Sequence, residues 1–395
     1  MKNPIIRSIL LVTVLVLLAE AVLFGVLLTK RLKSQDAAIQ ARTSQQMAQR
    51  QDAAAEEAAQ QESALPDLQE DEQVSATLTY EPAEEESFLL TLVGDCTLAT
   101  DAMSYGGEGT FVGVVKDNYD YPFANVRDLF ESDDFTIASL ECDLTDVAVV
   151  SDKMFAFRGP TAYTNILTGS SVEFVSYANN HTYDYGYEGY DETIAALQSA
   201  GLAYCERNKT ELYTTESGLT IGVYAGYFKF DDAEVTAAIQ KLDAEADVVI
   251  ASLHWGDEGK YHPTEEQQRL GHLAIDAGAD IVYGHHPHVL QPVEEYGDGI
   301  IFYSVGNFSF GGNTNPRDKD TVVVRQEIIR QGSSVRLGET TLLPCCVSSA
   351  QDRNTYQPTL YEEGTEAYDR TLSKLNGTFE GADLTIDYSG VSGWG

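Results

Sequence analysis

Basic residues are scarce in this 395-residue chain, in which 25 lysines and arginines face 62 aspartates and glutamates and leave a formal net charge of −37. Such a surplus of negative charge repels phosphate backbones, so nucleic-acid binding is excluded as a first interpretation. Cysteine is also rare, with five residues and no C-x-x-C pair, which is too few for a disulfide scaffold. Hydrophobic residues, at 43%, are numerous enough for a packed core and argue against a wholly disordered chain.

The amino-terminal region contains a nearly unbroken apolar run at residues 9–28, which is long enough to cross a bilayer as a helix. Glu20 interrupts this run, and lysines and arginines flank it. Because no small-x-small cleavage site precedes the next basic cluster, the sequence favours an uncleaved signal anchor over a cleaved signal peptide. Residues 1–33 are therefore predicted to form a single-pass anchor in the lipid bilayer. The flanking charges slightly favour a cytoplasmic carboxyl side.

Residues 34–87 are predicted to form a stalk rich in alanine, glutamine and glutamate. Between Asp52 and Glu86 there are twelve acidic residues and no lysine or arginine. No sustained apolar heptad is present, so a solvated helix or a disordered spacer fits better than a coiled coil. We interpret this region as a spacer that holds the folded part of the chain off the membrane.

From Phe88 onward, short apolar strands alternate with amphipathic helices. Strands are predicted at residues 88–93, 135–140, 174–177, 248–253 and 281–283, and helices at residues 190–200 and 264–277. This order predicts an α/β domain over residues 88–348. After Gly299 the pattern becomes strand-rich, which predicts a second sheet that closes the domain. Residues 349–395 form a carboxy-terminal extension without an assigned structure.

Polar side chains follow directly after five of these strands, and all seven histidines lie between His181 and His288. Loops at the carboxyl edge of an α/β sheet converge on one crevice, so we expect these side chains to meet there. The candidates are Asp95, Glu141, Asn180, His181, His254, His286 and His288. Carboxylate, amide and imidazole donors suit one or two divalent ions of Mn, Fe or Zn, which can activate water.

Several candidates have a structural alternative. Asp95 alone could cap a helix or form a turn, Asn180 could be a turn residue, and His254 could pack beside Trp255. Three imidazoles within the four residues from His285 to His288 are harder to explain by packing. The sequence therefore favours a ligand site at this last motif. His262 and His272 are interpreted as structural.

Taken in order, these motifs resemble the CapA family, also called PgsA. The motifs are Gly94-Asp95, Leu140-Glu141, Asn179-Asn180-His181 with Asp184, His254-Trp255-Gly256, Gly284-His285-His286-Pro287-His288 and Gly306-Asn307. That family is associated with poly-γ-glutamate capsule synthesis and is related to the calcineurin-like metallophosphoesterases. The resemblance covers residues 88–312.

The resemblance implies a four-layer αββα sandwich with a metal site at the sheet edge. It assigns the metal ligands to Asp95, Glu141, Asn180, His254, His286 and His288, with Glu141 as the bridge. It assigns the acid near the leaving group to His181, and the additional pocket candidates are Asn179, Asp184, Trp255, His285 and Asn307. Metallophosphoesterases usually have an Asp-x-His motif, whereas Cys96 and Thr97 follow Asp95 here. One imidazole is therefore absent, and either a weak first site or a single ion would result.

The resemblance also implies a membrane-anchored protein of poly-γ-glutamate biosynthesis or export, with its folded domain outside the cell. Two functions stay open: a metal-dependent hydrolase of a phosphoester or of the γ-glutamyl polymer, and a non-catalytic accessory subunit bound to other membrane subunits of a polymer synthase. A chain with a charge of −37 should repel poly-γ-glutamate unless cations intervene. Lys153, Arg158 and Arg317 are candidates for a local basic patch.

Overall fold

The structure is a computed structural model and describes residues 84–148, 150 and 153–385. The predicted anchor at residues 1–33 and most of the predicted stalk at residues 34–87 lie outside this part of the chain. Among the described residues, no helix combines the length and the apolar character that crossing a bilayer requires.

Strands and helices alternate along the described chain, with two short 3₁₀ helices at Ala102–Ser104 and Thr161–Tyr163. The strands are β1 (Glu85–Thr97), β2 (Thr100–Asp101), β3 (Phe135–Leu140), β4 (Asp143–Leu144), β5 (Phe157–Gly159), β6 (Phe174–Tyr177), β7 (Ala203–Glu206), β8 (Lys209–Thr214), β9 (Thr220–Tyr227), β10 (Val248–His254), β11 (Ile281–His285), β12 (Val293–Tyr296), β13 (Gly299–Phe302), β14 (Asn307–Phe310), β15 (Asp320–Gln331), β16 (Ser334–Cys346) and β17 (Thr359–Leu360). The α-helices are α1 (Phe111–Val115), α2 (Arg127–Phe130), α3 (Thr164–Thr168), α4 (Gly186–Ala200), α5 (Asp232–Asp243), α6 (Glu265–Asp276) and α7 (Glu366–Leu375).

Two large sheets carry the fold. The larger sheet has the order β17-β16-β15-β1-β3-β6-β7, with β14 paired to the end of β1. The second sheet has the order β12-β13-β11-β10-β9-β8, and β2, β5 and β4 form a small third sheet. Strands β1, β3, β6 and β7 run parallel to one another, as do β9, β10, β11 and β13. The carboxyl ends of each parallel set therefore lie at one edge of its sheet.

The two large sheets pack face to face, and helices cover their outer faces. Between them, Leu90 and Ile137 of the larger sheet share a core with Val223 and Ile250 of the second. Helices α1 to α4 pack on the outer face of the larger sheet, and α5 and α6 pack on that of the second. The described residues thus form four layers: helix, sheet, sheet, helix. Because both faces of each sheet are covered, central strands such as β3 are buried throughout and read as continuous apolar runs.

Local sequence signals determine where the helices begin and end. The Thr264 hydroxyl accepts a hydrogen bond from the backbone N–H of Gln267, whose side chain accepts one from the N–H of Thr264, and this capping box begins α6. Helix α4 ends where Gly201 adopts a left-handed φ of 73°. Both predicted long helices are present, although α4 begins earlier than predicted, at Gly186.

The prediction that the strands after Gly299 close a second sheet is only partly correct. Strand β13 joins the second sheet, but β15 and β16 form a hairpin that extends the larger sheet, with β15 antiparallel to β1. The apolar pattern identifies strands but not their partners, because pairing depends on residues far away in sequence.

Residues 349–385, to which the sequence assigned no structure, contain β17 and α7. Strand β17 pairs with β16, and α7 places Leu375 in the core between the sheets. After α7, the backbone N–H of Leu384 donates a hydrogen bond to the carbonyl oxygen of Gly259. This part of the extension therefore belongs to the folded domain.

Candidate functional site

The ends of four parallel strands carry predicted ligands to a common rim. Asp95 lies near the end of β1, and Glu141 directly follows β3. On the facing sheet, His254 is the last residue of β10, while His286 and His288 lie in the loop after β11. Side chains that are widely separated in sequence thus meet where the two sheets face each other. We call Asp95, Glu141, Asn180, His254, His286 and His288 the candidate metal centre.

Two groups of ligand atoms lie close enough to hold an ion, and Glu141 belongs to both. Asp95, Glu141 and His254 form one group, and Glu141, His286 and His288 form the other, with the atoms of each group within 4.8 Å of one another. Glu141 Oε1 lies 3.6 Å from His254 Nε2 and 3.7 Å from His288 Nε2. The geometry therefore places Glu141 where a bridging ligand would lie.

The amide of Asn180 joins this centre. Its Oδ1 lies 2.8 Å from His254 Nε2. Asn180 follows β6 by three positions, so a third strand of the larger sheet contributes a donor atom to the same rim.

Several buried polar atoms of the centre have no hydrogen-bond partner among the described residues. They are Asp95 Oδ1, Glu141 Oε1, His254 Nδ1 and His286 Nδ1. An unsatisfied buried polar atom costs about 1–3 kcal/mol, so native proteins rarely retain several together without a ligand. A divalent cation is the ligand that fits carboxylate and imidazole atoms facing one another.

The electrostatic environment also favours a cation. Burial raises the pKa of Glu141 well above its usual value, and the neighbouring Asp95 carboxylate raises it further. Burial lowers the pKa of His254 well below its usual value, and burial together with His288 lowers the pKa of His286 to about 4. These two imidazoles are therefore neutral at pH 7, which is the form that binds metal.

The backbone around the histidine motif is strained. His286 and His288 have φ values of 95° and 57°, in the left-handed region that non-glycine residues seldom adopt. The N–H of His286 donates a hydrogen bond to Asp95 Oδ2 over 3.2 Å, and Asn307 Oδ1 lies 2.8 Å from His288 Nδ1. Strain of this kind persists only where neighbouring contacts hold it, and it concentrates at functional sites.

Two glycines allow the strand ends to approach one another. A Cβ atom on Gly94 would lie 2.2 Å from the carbonyl oxygen of Gly306, in the segment leading into β14. A Cβ atom on Gly284 would lie 2.2 Å from the carbonyl oxygen of Tyr303. A side chain at either position would push apart the segments that carry Asp95 and the histidine motif.

His181 lies beside the centre and is held by Asp184. His181 Nδ1 is 2.7 Å from Asp184 Oδ2, and Lys153 Nζ is 2.5 Å from Asp184 Oδ1. Lys153 also donates a hydrogen bond to the carbonyl oxygen of Asn180 over 2.6 Å. Lys153, which the sequence indicated only as part of a basic patch, therefore connects Asp184 to the backbone of the candidate metal centre.

The remaining pocket candidates differ in their positions. Asn179 braces the loop after β6, because its side chain donates a hydrogen bond to Leu140 O and accepts one from the N–H of His181. His285 Nδ1 lies 3.3 Å from Asp95 Oδ1, so His285 borders the centre. Trp255 does not join it: its ring packs in the outer core of the second sheet, and its Nε1 donates to the carbonyl oxygen of Tyr303.

Sequence reasoning did not identify Thr97 or Tyr227 as site residues. Thr97 stands where the Asp-x-His motif has its imidazole, and its hydroxyl donates a hydrogen bond to Glu141 Oε2 over 3.3 Å. Tyr227 ends β9, with its ring centroid 5.6 Å from that of His254. The departure from the Asp-x-His motif could have indicated Thr97 as a site residue. The sequence around Tyr227 is that of an ordinary core aromatic and gives no such indication. Cys96 is fully buried, burial raises the pKa of its thiol to about 12, and the thiol donates a hydrogen bond to the carbonyl oxygen of Gly94.

Comparison with known proteins identifies the family. Residues 89–312 match the family described as bacterial capsule synthesis protein PGA_cap. The capsule biosynthesis protein CapA of Bacillus anthracis is 28% identical over 323 residues, which cover 72% of this chain and 75% of that protein. The PGA biosynthesis protein CapA of Bacillus subtilis (strain 168) is 28% identical over 236 residues, which cover 53% of this chain and 62% of that protein.

Two solved structures overlap with this one at low similarity. A phosphatase from Mycoplasma pneumoniae overlaps with a TM-score of 0.42 at 12% identity, over 66% of this chain and 94% of that chain. A putative 5′-nucleotidase from Staphylococcus aureus overlaps with a TM-score of 0.39 at 13% identity, over 74% of this chain and 58% of that chain. Similarity at this level carries no argument about function. The family match, in contrast, spans more than half of the chain, and the protein therefore belongs to the bacterial capsule synthesis protein family PGA_cap, as its resemblance to CapA predicted.

Proposed function

We propose that this chain is a metal-dependent hydrolase of poly-γ-glutamate capsule biosynthesis or export, anchored in the cell membrane by residues 9–28 with its folded domain outside the cell. The observation that carries the hydrolase proposal is the position of Glu141 in both groups of ligand atoms. A carboxylate shared in this way allows two cations to lie a few ångströms apart, the arrangement that hydrolytic two-metal sites use. The capsule role is supported by the family and by relatives named for capsule and PGA biosynthesis.

The donor set defines the cations that the centre would hold. Asp95 and His254 would hold one ion and His286 and His288 the other, with Glu141 shared between them. Mixed oxygen and nitrogen donors favour Mn, Fe or Zn. Such ions, when bound, supply a Lewis acid and lower the pKa of water. Because Thr97 replaces an imidazole of the Asp-x-His motif, a single ion is the alternative stoichiometry.

His181 is the residue that we propose to protonate the leaving group. Its Nδ1 is occupied by Asp184, which leaves Nε2 available to a substrate. Asp184 is itself fixed, because Lys153 and the backbone N–H of Phe157 both contact its carboxylate. In the hydrolysis, the oxygen of water bonds to phosphorus or to the carbonyl carbon, the bond to the leaving atom breaks, and the proton on Nε2 passes to that atom. The proton that the attacking water loses passes to solvent, and solvent returns a proton to Nε2, so that His181 regains its starting form.

The proposal is tested with the full chain, purified in detergent and loaded with Mn²⁺. Hydrolysis of bis(4-nitrophenyl) phosphate and of poly-γ-glutamate is measured for the wild type, for His181→Ala and for the control His272→Ala. His272 lies on α6, where it contacts Glu294 and stacks on Tyr296 outside the site. We expect His181→Ala to lose about 10²- to 10⁴-fold in rate with unchanged metal content, and His272→Ala to match the wild type.

Three results would contradict this proposal. Equal rates for the wild type and His181→Ala would remove His181 from the mechanism. A chain that holds Mn²⁺ but hydrolyses neither substrate would rule out these two hydrolase activities. Protection of the folded domain from protease added outside intact cells, together with cleavage after lysis, would contradict the proposed orientation.

A second function is favoured by another relative. A protein of Mycobacterium tuberculosis (strain CDC 1551 / Oshkosh), 28% identical over 217 residues, is named a probable polyglutamine synthesis accessory protein. In this alternative the chain retains its metal without turnover and binds other membrane subunits of a polymer synthase. Co-purification of such subunits from gently solubilised membranes would support it, and a chain that migrates alone would contradict it.

A further inference from the structure

Tyr227 is the last residue of β9 and lies at the same edge of the second sheet as the candidate metal centre. Strands β9 and β10 pair in register, so that Tyr227 lies beside His254, and His254 lies beside His285 on β11. Residues side by side on neighbouring parallel strands point to the same face of the sheet. Tyr227 accordingly packs against the core between the sheets, on the face that looks toward the larger sheet.

The Tyr227 ring contacts the candidate metal centre, because its centroid lies 5.6 Å from that of the His254 ring. Burial raises the pKa of Tyr227; Arg207 opposes this effect, while the carboxylates of Glu141 and Asp184 add to it. These two carboxylates are the shared ligand candidate and the partner of His181. The strand register and the ring contact with His254 therefore place Tyr227 at the border of the candidate metal centre.

Arg207 and the turn after β9 hold the tyrosine ring at this position. The guanidinium carbon of Arg207 lies 5.1 Å from the centroid of the Tyr227 ring, and its Nη2 donates to the carbonyl oxygen of Phe228 over 3.4 Å. Phe228 and Lys229 both have positive φ values, of 34° and 67°. Two consecutive strained residues form a sharp turn that ends β9 at Tyr227.

We propose that Tyr227, backed by Arg207, binds an oxyanion of the substrate, which is a phosphoryl or a carboxylate oxygen. The phenol donates a hydrogen bond to the oxyanion, and the exposed guanidinium supplies a positive charge. A protein with a net charge of −37 needs such local groups to hold an anionic substrate. This inference rests on the proposed function, because it places the substrate at the candidate metal centre.

Isothermal titration calorimetry on the full-length, Mn²⁺-loaded chain tests the inference. One arm titrates inorganic phosphate and the other titrates glutarate, so that a phosphoryl and a carboxylate ligand are distinguished. We expect Tyr227→Phe to weaken the binding of the preferred anion about tenfold or more while its Mn²⁺ content stays that of the wild type. Arg207→Gln should have a smaller effect, which disappears at high salt.

Tyr224→Phe is the matched control for this measurement. Tyr224 lies on the same strand, but it packs in the outer core between the second sheet and its helices. Tyr224→Phe also removes a tyrosine hydroxyl, but one that lies away from the site, so the anion affinities of this variant should equal those of the wild type.

The outcomes separate this inference from the proposed function. Unchanged anion affinity in Tyr227→Phe, with the wild type binding normally, overturns the role of Tyr227 alone. A fall in Mn²⁺ content in Tyr227→Phe also overturns it, because the tyrosine would then support the metal rather than the substrate. A wild type that holds Mn²⁺ but binds neither anion overturns both.

Discussion

Two clusters of buried charged side chains in the described part of the chain differ in how their charges are compensated. The first consists of Asp318, Asp320, Arg370 and Lys374, which we call the C-terminal ion cluster. Lys374, only 2% exposed, lies 2.6 Å from Asp318 and 2.7 Å from Asp320, and Arg370 contacts Asp320 through two nitrogens. Two carboxylates thus meet two cations, and the cluster is complete without a ligand.

The candidate metal centre buries its carboxylates without a lysine or arginine beside them. Asp95 and Glu141 are both fully buried, and no lysine or arginine of the described chain forms an ion pair with either one. His254, 3.6 Å from Glu141, is kept neutral by burial, which lowers its pKa. Four oxygen and nitrogen atoms of this centre, one each on Asp95, Glu141, His254 and His286, have no hydrogen-bond partner in the described chain. The comparison shows that burial of charge does not by itself indicate a site. The indicator is a buried group of donors that the chain leaves unsatisfied.

The largest effect should come from breaking the C-terminal ion cluster. Lys374→Met leaves two buried aspartates with only the half-exposed Arg370 as a cation. Removing one partner of a buried ion pair costs about 3–5 kcal/mol, because the other charge remains buried and unpaired. Urea unfolding of the full-length protein should show a loss of that size. A loss below about 1 kcal/mol, typical of surface pairs, would contradict our description of this cluster as structural.

At the candidate metal centre, the unfolding free energy should depend on bound metal, and a substitution there should matter mainly through the loss of metal binding. Mn²⁺ at about a hundred times its dissociation constant should stabilise the wild type by about 2.7 kcal/mol. In Glu141→Gln this gain should disappear, while the metal-free variant should be at least as stable as the wild type, because burial disfavours the Glu141 charge. Thermal shifts measured with Mn²⁺ give the stabilisation by metal, and those measured with EDTA give the stability of the metal-free protein. An unchanged shift in Glu141→Gln would exclude Glu141 as a ligand, and Lys374→Met should keep the full shift.

The two clusters also differ in how well the sequence predicts them. Residues of the candidate metal centre directly follow apolar strands, and neighbouring strand ends meet at one edge, so local sequence predicted which of them would lie together. That they bind metal stays a prediction. No such signal connects Asp318, which lies just before β15, to Lys374, which lies more than fifty residues later in the carboxy-terminal extension. Their pairing depends on where α7 docks, which the sequence pattern does not specify.

The residues and strands whose positions the sequence did not predict correctly also depend on contacts that a local pattern does not specify. His254 and Trp255 are adjacent in one motif, but neighbouring residues at a strand end point to opposite faces, so that only His254 reaches the centre. Tyr227 was overlooked because an aromatic residue at the end of an apolar strand has the pattern of a core residue. Strands β15 and β16 were assigned to the wrong sheet because alternation identifies a strand without naming its neighbour.

Acid should weaken the C-terminal ion cluster. Burial alone would raise the pKa of Asp320, but hydrogen bonds from Arg370 and the charge of Lys374 outweigh burial and lower it below the usual value of 3.8. A carboxyl with a lowered pKa contributes stability above its unfolded value, and this contribution is lost as the pH falls through its folded value. Unfolding free energies measured between pH 6 and pH 3 should therefore fall less steeply in Asp320→Asn than in the wild type. Parallel curves would show that Asp320 is not the group that is protonated.

The smallest effect is expected from an ion pair of the same chemistry at the surface. Arg269 on α6 contacts Asp232 through two nitrogens, at 2.7 and 3.1 Å, and also contacts Glu266, but its side chain is 45% exposed. Water already solvates these charges, so Arg269→Met should change the unfolding free energy by less than about 1 kcal/mol. Urea unfolding beside Lys374→Met makes the two values directly comparable, since both variants replace a paired cation by the same residue. If Arg269→Met cost as much as Lys374→Met, burial would not be what gives the C-terminal ion cluster its strength, and the contrast with the candidate metal centre would have to rest on unsatisfied donors alone.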